Sequence, residues 1–495
     1  MELEFQSRTC KYLSPLIRRV NTTELTQEVR LSDAMPDIGR ILASWGQIIL
    51  RSKEWQPDQL TVSGGVMVWT LYSPEDGTQV RCVDSWIPFQ LRWELEEGER
   101  DGVIRVSPLL RFADCRSLGA RKMMVRLGIA AMGEALQEAT VQLYEPAEVP
   151  EDVQLLQETY PVRLAKEAGE KTFQVDEELP VPEDAAGLER ILAYTVAPQL
   201  QEKRMAGDKL ILRGSGQLHV IYRCGEGNVH ATDLEVPISA YVQLQETYGT
   251  DAQAQVELCT TSLELDQTEQ QLRVKWGVVA QYLISDRELL PVTSDAYSTQ
   301  RYIKMRQEEA MLPSMLEQRM EPVSVRQSLP GVEGTIVDAV FWPDYPRQRR
   351  IDDQLSFELP GQYQVLYYTG DGSLQSSAGR WEGKFQLEAD ERSRVELMPQ
   401  PGVKTQAAGD LLSAQYKMQL QTTLECALEM IAGLQLGEIR EKDPSAPALI
   451  LCRTDGESLW ELAKRCGSRV CDIQQANGLT GEPDRQKFLL VPVSK

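Results

Sequence analysis

Only two histidines, His219 and His230, could serve as an imidazole base anywhere in the chain. His219 lies in "QLHVIY", which alternates with the period of a strand, and His230 follows a turn; both read as strand histidines facing water. Nine cysteines (10, 82, 115, 224, 259, 426, 452, 466, 471) are scattered without a Cys-x-x-Cys pair. Cys452, Cys466 and Cys471 cluster near the end, but no His or fourth Cys stands nearby to complete a tetrahedral site, so no metal is expected. There is no GxxxxGK[ST] phosphate cradle, no GxSxG elbow and no HExxH helix. "GSGQLH" lacks the third glycine of a dinucleotide loop. Carboxylate neighbours such as those in "ELEEGERD" arise by chance among 74 acidic residues. The pattern is that of a non-enzyme without a cofactor.

A binding site is easier to place than a catalytic one. In "TDGESLWELAKRCG", Ser458 and Glu461 form a capping box, so a helix starts there. Leu459, Leu462, Ala463 and Cys466 make its buried stripe, and Gly467 ends it. "SRVCDIQQANG" repeats the device, with Ser468 as cap, Val470 and Ile473 inward and Gly478 just past the end. "ALILCR" and "KFLLVPV" supply strands on either side, giving a β-α-α-β order. The candidate partner- or glycan-binding residues are Asp455, Gly456, Glu457, Ser458 and Trp460 around the first turn, and Asn477, Gly478 and Leu479 at the second corner. Trp460 lies beside the stripe, on a flank shared with Ala463, Lys464 and Gly467, where an aromatic can seat a protein partner. Asn477 is also suited to holding its corner through backbone hydrogen bonds.

This segment resembles a LysM domain in its first turn, its short helix ending before Gly, and its Asn-Gly-Leu corner. The resemblance implies a sugar groove between two loops. Both loops depart from the pattern: Asp455-Gly456-Glu457 replaces the Gly-Asp order, and "GEPDRQ" replaces Pro-Gly.

The rest of the chain must carry this module, and it is built by repetition. "DQLTVSGGVMVWTLY" from Asp58, "DKLILRGSGQLHVIY" from Asp208 and "DQLSFELPGQYQVLY" from Asp353 align without a gap. The spacings, 150 and 145 residues, mark duplication of a whole domain and not a short-period solenoid. Val68, Thr70 and Tyr72 alternate with Met67, Trp69 and Leu71, so the block is a strand. The face that includes Tyr72, Tyr222 and Tyr367 suits a core. The opposite face varies at Trp69, His219 and Gln364, as expected for solvent or for a contact peculiar to each copy. Turn residues follow at the same place in each copy: "SPEDG", "CGEG" and "TGDG". The expected architecture is mainly β with a small α+β C-terminal domain: three tandem antiparallel β-sandwich-like repeats, then a βααβ LysM module. The boundaries are 20–148 for repeat 1, 165–297 for repeat 2, 298–320 for a helical connector interrupted at Pro313, and 321–436 for repeat 3. A charged, Pro-rich linker at 437–447 then leaves the LysM module, 448–495, loosely tethered.

At 495 residues several cores are needed. Lys plus Arg number 52 against 74 Asp plus Glu, a net charge of −22, which repels phosphate backbones and argues against nucleic acid. No apolar run reaches the roughly 18 residues of a membrane span, and no signal peptide is read at the start. Scattered cysteines fit a reducing cytoplasm.

Three acidic repeats followed by one LysM-like module resemble the SipL-type spore coat morphogenetic proteins of endospore-forming clostridia; "MPDIGRIL" and "DQLTVSGGVMVWTLY" are similar to the start of their repeat. That resemblance implies an adaptor in the mother-cell cytoplasm, at the forespore and spore coat surface, with the spore coat ATPase or other coat proteins as partners. The alternative is a peptidoglycan- or chitooligosaccharide-binding protein of the spore cortex or cell wall.

Overall fold

The structure is a computed structural model describing residues 2–95, 102–182, 187–268, 271–351, 354–390, 392–441, 447–454, 456–482 and 488–493, apart from the side chains of Leu316 and Ile351. Asp353, Asp455 and residues 442–446 of the expected linker lie outside the described residues.

Alternating apolar residues over long runs produce long strands. After a two-residue strand β1 (Glu2–Leu3), repeat 1 contains β2 (Phe5–Arg30), β3 (Ile38–Gln56), β4 (Gln59–Pro74), β5 (Arg81–Glu94), β6 (Val103–Gly119) and β7 (Lys122–Pro146). Repeat 2 follows the same order with β8 (Val153–Pro180), β9 (Leu188–Ala206), β10 (Lys209–Cys224), β11 (Val229–Gln243), β12 (Gln253–Gln267) and β13 (Gln271–Ser298). Repeat 3 has β14 (Arg301–Ser328), β15 (Thr335–Pro343), β16 (Arg347–Ile351), β17 (Gln354–Tyr368), β18 (Leu374–Glu388), β19 (Ser393–Pro399), β20 (Lys404–Ala408) and β21 (Leu411–Ile439). In repeats 1 and 2 the last strand is central, paired with the first on one side and with the fifth on the other, and the middle strands form a second sheet: β2-β7-β6 with β3-β4-β5, and β12-β13-β8 with β11-β10-β9. In repeat 3, β14 and β21 take the outer roles, while β15 and β16 together occupy one flank of β17 and β18 the other.

The two sheets of a repeat share a core. In repeat 1, Leu60, Val62 and Tyr72 meet Trp93 and the Met123, Val125 and Leu127 face of β7. The aligned tyrosines are buried as expected, with Tyr72 at 0%, Tyr222 at 3% and Tyr367 at 6% exposure.

The helical connector is corrected. Residues 301–328 are one strand, β14, paired with β21 from Arg301↔Ile439 to Ser328↔Leu411. Helix-forming residues in "KMRQEEAM" are overridden by pairing along the whole strand. Pro313 is tolerated because β14 is an edge strand, bonded on one side to β21 and open on the other.

The opposite face of the aligned strands joins the repeats. Leu71, Ile221 and Leu366, one residue from each repeat at the same aligned position, lie together in one cluster with Leu42 and Leu192. The variable position next to them closes a ring. Trp69 packs on Tyr194 of repeat 2, with ring centroids 4.7 Å apart. His219 reaches Asp338 of repeat 3, Nε2 to Oδ1 3.1 Å. Gln364 accepts from the Ser44 N–H of repeat 1 at 3.1 Å and donates to the Ser44 carbonyl at 3.3 Å. Repeat 1 thus contacts 2, 2 contacts 3, and 3 contacts 1, a pseudo-threefold arrangement. His219 is therefore no water-facing strand histidine. Burial alone would lower its pKa, but the Asp338 and Asp233 carboxylates outweigh that and push it up to about 10.

Outside the sandwiches the paired outer strands run on as ribbons. Cys10 and Leu143 of repeat 1, Leu164 and Leu290 of repeat 2, and Leu312 and Leu428 of repeat 3 form one apolar core between the three ribbons. A further cluster past it again draws on all three, through Leu3, Val153, Ala296 and Leu434. The ribbon ends carry the C-terminal module.

Candidate binding site at the C-terminal module

The module consists of β22 (Leu449–Arg453), α1 (Leu459–Cys466), α2 (Val470–Asn477) and β23 (Phe488–Pro492), with β22 antiparallel to β23. The capping box forms: the Ser458 hydroxyl accepts from the Glu461 N–H at 3.2 Å, and the Ser458 N–H donates to the Glu461 carboxylate at 2.8 Å. Gly467 ends α1 and Gly478 ends α2, both left-handed, with φ of 65° and 61° that favour glycine. Leu459, Leu462, Ala463 and Ile473 are buried, and Cys466 and Val470 are partly so. One cap differs from expectation. Ser468 does not cap α2; the N-cap is Arg469, without a side-chain bond, while Ser468 is buried and its carbonyl accepts from Tyr297.

The polar candidates are occupied by the module itself. The Asn477 amide donates to the carbonyls of Ile473 (2.8 Å) and Leu490 (2.6 Å), and its oxygen accepts from the Leu490 N–H at 2.8 Å. It pins α2 to β23. Glu457 pairs with Arg465 at 2.5 Å. Glu482, from the second loop, accepts from the Leu459 N–H at 2.9 Å and so bridges the two loops that would flank a groove. Gly456 sits at a φ of 91°, a turn position, and Leu479 packs on the module core.

Trp460 has a partner within the chain. Its Nε1–H donates to Asp295 Oδ2 at 2.7 Å, and its ring meets Tyr297 edge-on at 4.8 Å. Lys464, one turn on, pairs with the same Asp295 at 2.6 Å. The Tyr297 hydroxyl donates to the Ser468 carbonyl at 2.8 Å, and its burial raises its pKa. Asp295 and Tyr297 lie at the end of β13, so the flank with Trp460 and Lys464 faces the ribbon of repeat 2. The module is seated, not hanging from a loose linker. Sequence reasoning missed Asp295 and Tyr297; the strand that presents them continues beyond Leu283 through "RELLPVTSDAY", where a proline and two acidic residues obscure its alternation.

Within the body, residues 188–266 match the family described as SipL, SPOCS domain. The match supports a SipL-type protein. It spans β9 to β12, the middle strands of repeat 2 without its two long ribbon strands. A SipL-type SPOCS domain ties the chain to sporulation, and this family is a non-enzymatic domain of unknown function. Neither curated proteins nor solved structures yielded a match. Among the described residues, no helix is long and apolar enough to cross a membrane.

Proposed function

We propose that the chain is a non-catalytic adaptor in spore coat assembly, which recruits or anchors coat proteins, the coat ATPase among them, at the forespore surface on the mother-cell side. The SPOCS match supports the process. The surface of the LysM-like module supports the kind of partner: Leu449, Leu451 and Phe488 stand 50%, 62% and 64% exposed on one face of the β22–β23 sheet. Contiguous exposed apolar side chains mark protein contacts. Sugar recognition needs free polar groups beside its aromatic, whereas Ser458, Glu457 and Asn477 already satisfy the module's own turns.

The test is retention of purified coat ATPase by the immobilised full chain, beside binding of purified peptidoglycan. Retention lost on Leu451→Arg, with peptidoglycan left in the supernatant, is the expected result. Saturable binding of chitooligosaccharide with no retention of the ATPase would replace this reading with a cortex or wall glycan binder.

A further inference from the structure

Two thiols touch inside the C-terminal module. Cys452 on β22 and Cys466 at the end of α1 bring their Sγ atoms to 3.7 Å. Both are half-buried, so neither is sealed from small reagents. A disulfide needs an S–S distance of about 2.05 Å, a gap that side-chain rotation can close at two adjustable residues. The loop such a bond would close runs from Arg453 to Arg465 and contains Gly456, Glu457, Ser458 and Trp460, the first half of the candidate site. We propose that Cys452 and Cys466 are a modification site: a thiol pair that oxidises to an intramodule disulfide and locks this loop and α1 to β22.

The oxidant is a low-molecular-weight disulfide, R–S–S–R. One cysteine loses its proton and its thiolate attacks a sulfur of the oxidant, forming a mixed disulfide and releasing RS⁻. The second cysteine, deprotonated in turn, attacks the protein sulfur of that mixed disulfide and releases the second RS⁻. Two protein thiols are oxidised, and the two thiolates take up the two protons as RSH. Burial, then the contact with Cys452, pushes Cys466 up to about 11, so its thiolate is scarce at neutral pH. The rate of closure therefore climbs about tenfold per pH unit below that value wherever Cys466 is the attacker. Cys471 is exposed and its Sγ lies beside Asp472, which makes it an internal control for unpaired reactivity.

The experiment treats the native full chain with oxidised glutathione at pH 7.5 and 8.5, then alkylates free thiols and maps disulfide-linked peptides. The expected product joins Cys452 to Cys466, faster at the higher pH, while Cys471 carries glutathione alone. Cys466→Ser should halt at a glutathione adduct on Cys452, and Cys452→Ser at one on Cys466. Tryptic cleavage after Lys464 and Arg465 should slow at least tenfold in the oxidised chain. The proposal is overturned if the linked peptide contains Cys471, if Cys452 and Cys466 stay free while Cys471 reacts, or if both persist as separate adducts. A linked pair with unchanged tryptic cleavage would overturn the locking.

Discussion

The three-repeat body and the C-terminal module are fastened by different physics. Inside the body, repeats meet through shared apolar clusters and through charges withdrawn from water. Arg18 of repeat 1 binds Glu134 of its own repeat at 2.6 Å and Glu396 of repeat 3, and donates to the Gln421 side-chain oxygen at 3.0 Å. The Arg18 and Glu134 side chains are 9% and 7% exposed. At the module, the Tyr297 ring buried among the module's core residues, its hydrogen bond to Ser468, the Trp460–Asp295 hydrogen bond and the Lys464–Asp295 pair make the seat, and Lys464 is 40% exposed. Buried charges become costly once either partner is lost, whereas half-solvated pairs hardly register. The body is therefore expected to behave as one unit, and the module, anchored mainly by the Tyr297 ring, to be the part whose seat opens first.

The largest effect is expected at Arg18. Arg18→Ala takes away the cation shared by Glu134 and Glu396 and leaves Arg105 on Glu134, at 2.6 Å, and the more exposed Arg394 on Glu396, at 2.8 Å, in partial compensation. A loss of about 3–5 kcal/mol follows from breaking a buried pair on one side. Denaturant unfolding should show a lower midpoint for the whole body. A midpoint within error of wild type would mean that the repeats do not depend on one another there.

Tyr222→Ala comes next. Removing a fully packed ring costs about 3 kcal/mol by the large-to-alanine scale. The comparison sharpens if unfolding stays a single transition, because coupled repeats lose stability together. Two separated transitions would show that repeat 2 melts on its own.

How much of this was legible depends on distance along the chain. The tyrosine face, the α1 stripe and the capping box rest on residues within one strand or helix, and the Asn477 corner on residues 13 positions apart at most, where period and local hydrogen bonding decide. The joints do not. Gln364 and Ser44 are 320 residues apart, and Trp460 and Asp295 are 165 apart. Nothing in the types Trp, His and Gln at one aligned position says that each completes a contact with the next repeat. The ribbon of β14 was hidden for a related reason: its residues favour helix locally, and only β21, more than 80 positions on at the nearest pairing, makes it a strand.

His219 gives a smaller change with a pH signature. Its folded pKa is raised from 6.5 to about 10, so its contribution to stability is full below 6.5 and declines as pH rises toward 10. Asp338, held well below the usual carboxylate range by its pairing with His219 despite burial, stays ionised across that window. His219→Gln therefore leaves a buried carboxylate without its cation, held by neutral donors such as Trp45 at 2.8 Å, and costs about 2 kcal/mol at pH 6. The gap between variant and wild type should narrow steadily between pH 7 and 10. A gap independent of pH would assign His219 a packing role alone.

The smallest effects separate two contacts of the seat, both made to Asp295. Trp460→Phe keeps a ring against Tyr297 and deletes the Nε1–H donor; Lys464→Ala deletes the cation and keeps the ring. Asp295 retains one partner in either variant, and its side chain is 22% exposed, so water can replace the other. Each change should weaken the seat by about 1 kcal/mol or less, with Lys464→Ala the milder and the one erased by high salt. Global unfolding will not resolve this, because the module's own core of Leu459, Leu462 and Ile473 is untouched. Hydrogen exchange at the Asp295–Ser298 end of β13 will, since opening the seat exposes the ribbon there. Both variants should speed exchange at that segment severalfold while amides of α1 stay protected. Faster exchange throughout α1 would show that the module depends on its seat to fold, and the contrast between a fused body and a detachable module would fail.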